Sequence, residues 1–81
     1  MMDKFKPGDR VIPLRKFHNI PFNTLGVIKK IQNRKLWVDF EGFGVCFAGT
    51  IDHPFVEVNE LKYEIIKAMK ENGITTAFEA S

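Results

Sequence analysis

Few side chains in this sequence are arranged to do covalent chemistry. The only serine is Ser81, at the end of the sequence, so a serine nucleophile is not expected. Cys46 with a histidine could make a thiolate pair. A cysteine inside Phe43–Ala48 reads more simply as a small strand residue. His18 and His53 lie far apart in the chain and no CxxC or HExxH string occurs, so no metal site is predicted. Asp39 and Glu41 stand two apart and could share acid–base work, but they fit a solvated strand end better. The six glycines form neither GxGxxG nor GxxxxGK, which leaves nucleotide binding without support. No enzyme and no cofactor are expected.

The residues suited to binding are more promising. Trp37 is the best single contact candidate, because large amphipathic rings dominate interface energetics. Its alternative use is as a lid over a helix. Phe17 and Phe22 lie in a loop with Arg15 and Lys16, and either contact a partner or anchor the loop on the core. Arg15, Lys16, Lys29, Lys30, Arg34 and Lys35 interleave with these aromatics, a pattern that suits phosphates and stacked bases. An acidic protein surface would suit it as well.

Short strands must position these groups. Lys6-Pro7-Gly8-Asp9 is a turn sequence, and Arg10–Leu14 reads as a first strand with Pro13 at an edge or bulge. Residues 15–23 are a long loop. Strands are predicted over 24–31, 35–40, 43–48 and 55–58, joined by Gln32-Asn33-Arg34, Glu41-Gly42 and residues 49–54. Alternation places Leu36, Val38 and Phe40 on one face, with Trp37 and Asp39 opposite. It sets Phe43, Val45 and Phe47 against Gly44, Cys46 and Ala48, and the aromatic-rich sets are expected to pack inside. Asn59 is an N-cap signal, Asn72-Gly73 a C-cap signal, and Leu61, Ile65, Ala68 and Met69 form the docking stripe of the helix between them, widened by Ile66. Residues 73–81 read as a tail.

The string KPGDRV, a long loop, LGVIKKI and then KLWVDFEG resembles the SH3-like barrel families that include KOW and Tudor-like modules. Gly8, Asp9 and Val11 match the opening, Gly26, Ile28 and Ile31 the second strand, and Val38, Phe40 and Gly42 the third. Val56 to Leu61 looks like the closing strand, and the chain is also similar to small barrel domains of phages and other mobile elements. The resemblance implies a mainly β chain, a five-stranded SH3-like barrel over 5–58 with one C-terminal α-helix over 59–72. It also implies one shallow groove, flanked by the connections that carry Arg15, Lys16 and His18, and then Arg34 and Lys35.

Composition fits one domain. The 81 residues bury only about 60% of their unfolded surface, enough for one small core and no deep cleft. Residues 1–35 carry a net +7 and residues 36–81 a net −5, which gives either two opposed faces or strands whose charges interleave. One cysteine, no signal-peptide pattern and no long apolar run suggest a cytoplasmic chain with no membrane partner. The expectation is a non-enzymatic module for a macromolecular partner, a protein, through Trp37, Phe17, Phe22, Arg15 and Lys16. Alternatives are a nucleic-acid module using the six basic residues, or an accessory subunit of a larger enzyme or phage assembly. No small-molecule substrate is expected.

Overall fold

The computed structural model describes residues 5–73. Five antiparallel strands form one sheet, followed by one helix: β1 (Arg10–Pro13), β2 (Gly26–Gln32), β3 (Lys35–Phe40), β4 (Gly44–Thr50), β5 (Val56–Val58) and α1 (Glu60–Glu71). The strand order is β4-β3-β2-β1-β5. No ladder joins the edge strands β4 and β5 among the described residues. Just before β5, an isolated bridge pairs Gly49 with Pro54, and the Phe55 N–H donates to the Ala48 carbonyl at 3.0 Å. The predicted tail lies, beyond Gly73, outside the described residues.

Local chemistry explains the connections. Asp9 closes the first turn twice: its N–H donates to the Lys6 carbonyl, and its carboxylate accepts from the Lys6 N–H. Asn33 and Arg34 both have φ > 0, the geometry of a two-residue hairpin loop whose twist matches the strands it joins. Pro13 pairs with Val56 of β5, beyond the stretch of β1 that pairs with β2, so its missing N–H costs the sheet no bond on that side. In β2 the sequence Ile28-Lys29-Lys30-Ile31 would put its two isoleucines on opposite faces under strict alternation. A register shift between Ile28 and Lys30 absorbs the extra residue. Both lysines are then exposed and Ile31 packs against the core.

The main core gathers Phe5, Val11, Ile20, Ile28, Leu36, Val38, Phe40, Ala48 and Val56. Leu36, Val38 and Phe40 are buried as alternation predicted. β4 is placed the other way round. Phe43 and Val45 are exposed and Phe47 is half-buried, while Ala48 is buried and Cys46 packs against the core. The register decides it: Val38 pairs with Cys46 and Trp37 with Phe47, and cross-strand partners share a face. With Phe5, Ile20 and Phe40 already in a core this small, small side chains fit inside β4 and aromatics do not.

The helix docks on a second cluster of Ile12, Leu25 and Ile66, with Tyr63 against it. The Asn59 side chain accepts from the Lys62 N–H at 3.0 Å, and Gly73 beyond the last turn has φ +73°. Of the predicted stripe, the flank at Ile66 docks and the axis through Leu61 and Ile65 does not. Leu61 is 73% and Ile65 50% exposed, Ala68 is exposed and Met69 is half-buried, whereas Ile66 is 1% exposed. Exposed ion pairs flank the docked face. Arg10 pairs with Glu60 and Glu64 and lies 5.5 Å from the Tyr63 ring, and Lys70 reaches Glu41. Tyr63 and Ile66, three residues apart, share the face that meets the sheet.

Candidate functional site

The outer face of β3 and β4 starts the candidate site. Trp37 projects there because its neighbours Leu36 and Val38 point into the core. Its cross-strand partner Phe47 meets it edge to face, ring centroids 5.7 Å apart. The Lys30 ammonium lies 5.7 Å from the Trp37 ring centre, in cation–π range. Asp39 and Val45 are paired one step along the same face.

The aromatic contacts continue from there. Phe47 meets Phe55 at 5.9 Å, and Phe55 meets Phe17 at 5.1 Å. Phe17 abuts His18 at 5.5 Å and the core ring of Phe40 at 5.6 Å. Trp37, Phe47, Phe55 and Phe17 are each half-buried, and His18 is exposed. Together they make one strip from the outer sheet face to the first loop.

Two backbone devices hold it. In the first loop, Phe17 and Ile20 exchange N–H to carbonyl bonds of 3.3 and 2.7 Å across His18 and Asn19, both at φ > 0. This is a two-residue hairpin inside a loop, anchored by buried Ile20 and presenting Phe17 and His18. His18 carries a backbone conformation that a non-glycine residue adopts at a cost of about 1 kcal/mol. The second device is the corner from Gly49 to Phe55. Thr50 and His53 close it by one backbone bond of 3.3 Å, and the Thr50 hydroxyl accepts from the His53 N–H at 3.0 Å. Arg34 ties the corner to the β2–β3 turn. Its guanidinium grips Asp52 with two nitrogens, and its carbonyl accepts from the Ile51 N–H. The hydrogen bond from Arg34 holds the Asp52 carboxyl below its ordinary pKa.

The structure therefore joins some of the predicted site residues and separates others. Trp37 and Phe17 share the strip. Phe22 does not: it lies under the Lys62 ammonium of α1, 4.6 Å from ring centre to charge. Trp37 is no lid on the helix, since its ring contacts are Phe47 and Lys30 and the helix docks on Ile12 and Leu25. Arg15 and Lys16 are exposed beside Phe17. Of the six basic candidates, Arg34 is engaged by Asp52, whereas Lys29, Lys30 and Lys35 are exposed and form no ion pair among the described residues. The charges of the two halves partly interleave, through Arg10 with Glu60 and Glu64 and Arg34 with Asp52.

Sequence reasoning missed Phe47 and Phe55. Phe47 was placed inside, and only the β3–β4 register shows it standing beside Trp37. Phe55 follows Pro54 at a bridge joining residues near the sheet's edges, a contact no local pattern announces. Among the described residues no group of three His, Cys, Asp or Glu is placed to hold a metal, and no helix is long and apolar enough to cross a membrane. Compared with protein-family models, curated proteins and solved structures, the chain finds no match.

Proposed function

We propose that this chain is a non-enzymatic binding module that engages a protein partner through the strip Trp37–Phe47–Phe55–Phe17. The continuous ring-to-ring contact carries the reading: it joins a strand aromatic and a loop aromatic into one partly exposed apolar surface. Half-buried aromatics held by their neighbours lose little freedom on binding and offer large contact area. Their edge-to-face packing favours an apolar protein contact over base stacking, which needs open ring faces. Lys30, Lys35, Arg15 and Lys16 lie around the strip and complement a partner with acidic flanks. An SH3-like barrel is the fold we assign to this module. The Gly49–Pro54 bridge and the Phe55-to-Ala48 bond, which draw the two sheet edges together, support it.

The test is affinity capture with the wild-type chain, Trp37→Ala, Phe55→Ala and the off-strip control Leu61→Ala. A nuclease-resistant protein partner that is lost with Trp37→Ala and Phe55→Ala and kept with Leu61→Ala is the expected result. Capture that survives both strip variants, with dispersed spectra proving them folded, refutes the assignment. A second reading, single-stranded nucleic acid, draws on Lys29 and Lys30, which the β2 irregularity leaves exposed together. It requires binding of a mixed-sequence oligonucleotide that weakens steeply with salt.

A further inference from the structure

The open edge of β4, which borders the strip at Phe47, carries a further inference that needs no partner at the strip itself. We propose that two copies of this chain associate by antiparallel pairing of their β4 strands, with Val45 on the two-fold axis. Natural edges are guarded by charge, proline or shortness. β4 has neither charge nor proline, and residues 42–51 are uncharged throughout. Phe43 is 45% and Val45 54% exposed beside this edge. In a symmetric antiparallel pair every residue near the axis meets its own kind or a near neighbour, so a charge there would repel itself. The neutral run removes that penalty.

The backbone sets the register. The Ala48 carbonyl accepts from the Phe55 N–H and so faces away from β3. The register shift between Lys35 and Trp37 breaks the alternation there, so Ala48 does not set the phase of the rest of the strand. The Glu41 N–H donates to the Leu25 carbonyl and the Ile28 N–H to the Asp9 carbonyl, so Phe40 and Val38 turn their polar groups to β4. Their partners Gly44 and Cys46 bond β3, and Val45 and Phe47 present their polar groups to the open edge. The segment at Pro54 and Phe55 already covers the edge at Ala48 and Gly49, leaving Gly44–Phe47 open. An axis at Val45 uses this open stretch fully. The two Val45 residues then exchange backbone bonds across the axis, with Gly44 of each copy opposite Cys46 of the other. Phe43 faces Phe47 of the second copy, and the two Val45 side chains meet across the axis. The partner strand ends at Phe43, where the Glu41-Gly42 turn leads it away before it reaches the covered Ala48. Shifting the axis to Cys46 would set Phe43 of the second copy against Gly49, whose edge the bridge to Pro54 already covers. The pairing thus covers Phe43 and Val45 together and satisfies the open backbone of each edge.

Sedimentation equilibrium of the full chain tests this. We expect a monomer–dimer equilibrium between micromolar and millimolar concentration, with Val45 amide exchange slowed in the dimer. Val45→Lys sets two ammonium groups across the axis and raises the dissociation constant about 100-fold or more. Val45→Cys in a Cys46→Ser background gives a second reading. The Cα atoms of a hydrogen-bonded antiparallel pair sit about 5.5 Å apart, within disulfide reach, so mild oxidation yields a covalent dimer that reductant dissolves. A wild-type chain monomeric to millimolar concentration overturns the proposal. So does a dimer that persists undiminished in folded Val45→Lys, or a Val45→Cys chain that fails to cross-link at a concentration where the wild type is dimeric.

Discussion

Gly49 is the residue on which the corner beneath the strip depends, and Gly49→Ala tests that dependence. Gly49 has φ +90°, and a Cβ there would lie 2.5 Å from the His53 carbonyl oxygen and 3.0 Å from the Phe55 nitrogen. Both neighbours are backbone, so the corner must open to admit it. The left-handed conformation costs an alanine about 1–2 kcal/mol. Opening threatens two bonds, Phe55 N–H to Ala48 and Thr50 N–H to His53. At about 0.5–1.5 kcal/mol each, they bring the expected loss to about 3 kcal/mol. For a domain this small that is a fall of roughly 15 °C in Tm. Gly42→Ala is the control, because Gly42 has φ +85° with nothing within 4 Å of the added carbon. It should lose only the conformational part, about 1 kcal/mol. Urea unfolding followed by Trp37 fluorescence measures both, and the difference isolates the steric contact. The strip should also loosen, with the Phe55 ring resonances moving toward solvent-exposed values. Equal losses in the two variants, with Phe55 unmoved, would refute the idea that this corner sets the strip.

Three other outcomes follow from the packing and the ionisable groups. Ile66→Ala should cost about 2–4 kcal/mol, from three buried carbons and the cavity they leave, whereas Ile65→Ala should cost under about 1 kcal/mol; a urea midpoint lowered equally by both would mean that the helix docks on its other stripe. The Asp52 carboxyl is held low by Arg34, so its contribution to stability is complete above the ordinary carboxylate pKa and is lost as pH falls through the folded value. Asp52→Asn should flatten that acid limb of the stability–pH curve. Partial burial raises the Tyr63 phenol, so its contribution is present below the ordinary phenol pKa and is lost as pH rises through the folded value; Tyr63→Phe should remove this alkaline loss.

Strands and caps were legible because they are local. The Asn59 cap, the turn at Asp9 and the burial of Leu36, Val38 and Phe40 all follow from neighbours within a few residues. The errors came where a choice depends on distant parts of the chain. Alternation says that Phe47 and Cys46 face opposite ways, but not which way is inward; pairing with β3 decides that. Periodicity finds an apolar stripe at Leu61, Ile65, Ala68 and Met69, widened by Ile66, but only packing against Ile12 and Leu25 shows that its Ile66 flank meets the sheet. The same limit applies to the site. Trp37 was readable as outward-facing, while its companions Phe47 and Phe55 are assembled by cross-strand register and a bridge between segments of β4 and the approach to β5.

The distribution of phenylalanine makes the strip more than leftover core. The chain has eight phenylalanines, yet among the described residues only Phe5 and Phe40 are buried. A core of this size has no room for the rest, and smaller residues such as Ala48 and Cys46 occupy positions that aromatics could have taken had the register been shifted by one. A sequence optimised only for stability and solubility would place polar residues at the half-exposed positions. Instead, Phe17, Phe47 and Phe55 stand in mutual contact with Trp37 at one end and His18 at the other. Scattered exposed rings need no explanation, but a connected row held by a strained hairpin and a glycine-dependent corner does. The stability given up in those two devices is small beside the contact area that they fix in one orientation. Such a trade accords with the binding role proposed for the strip.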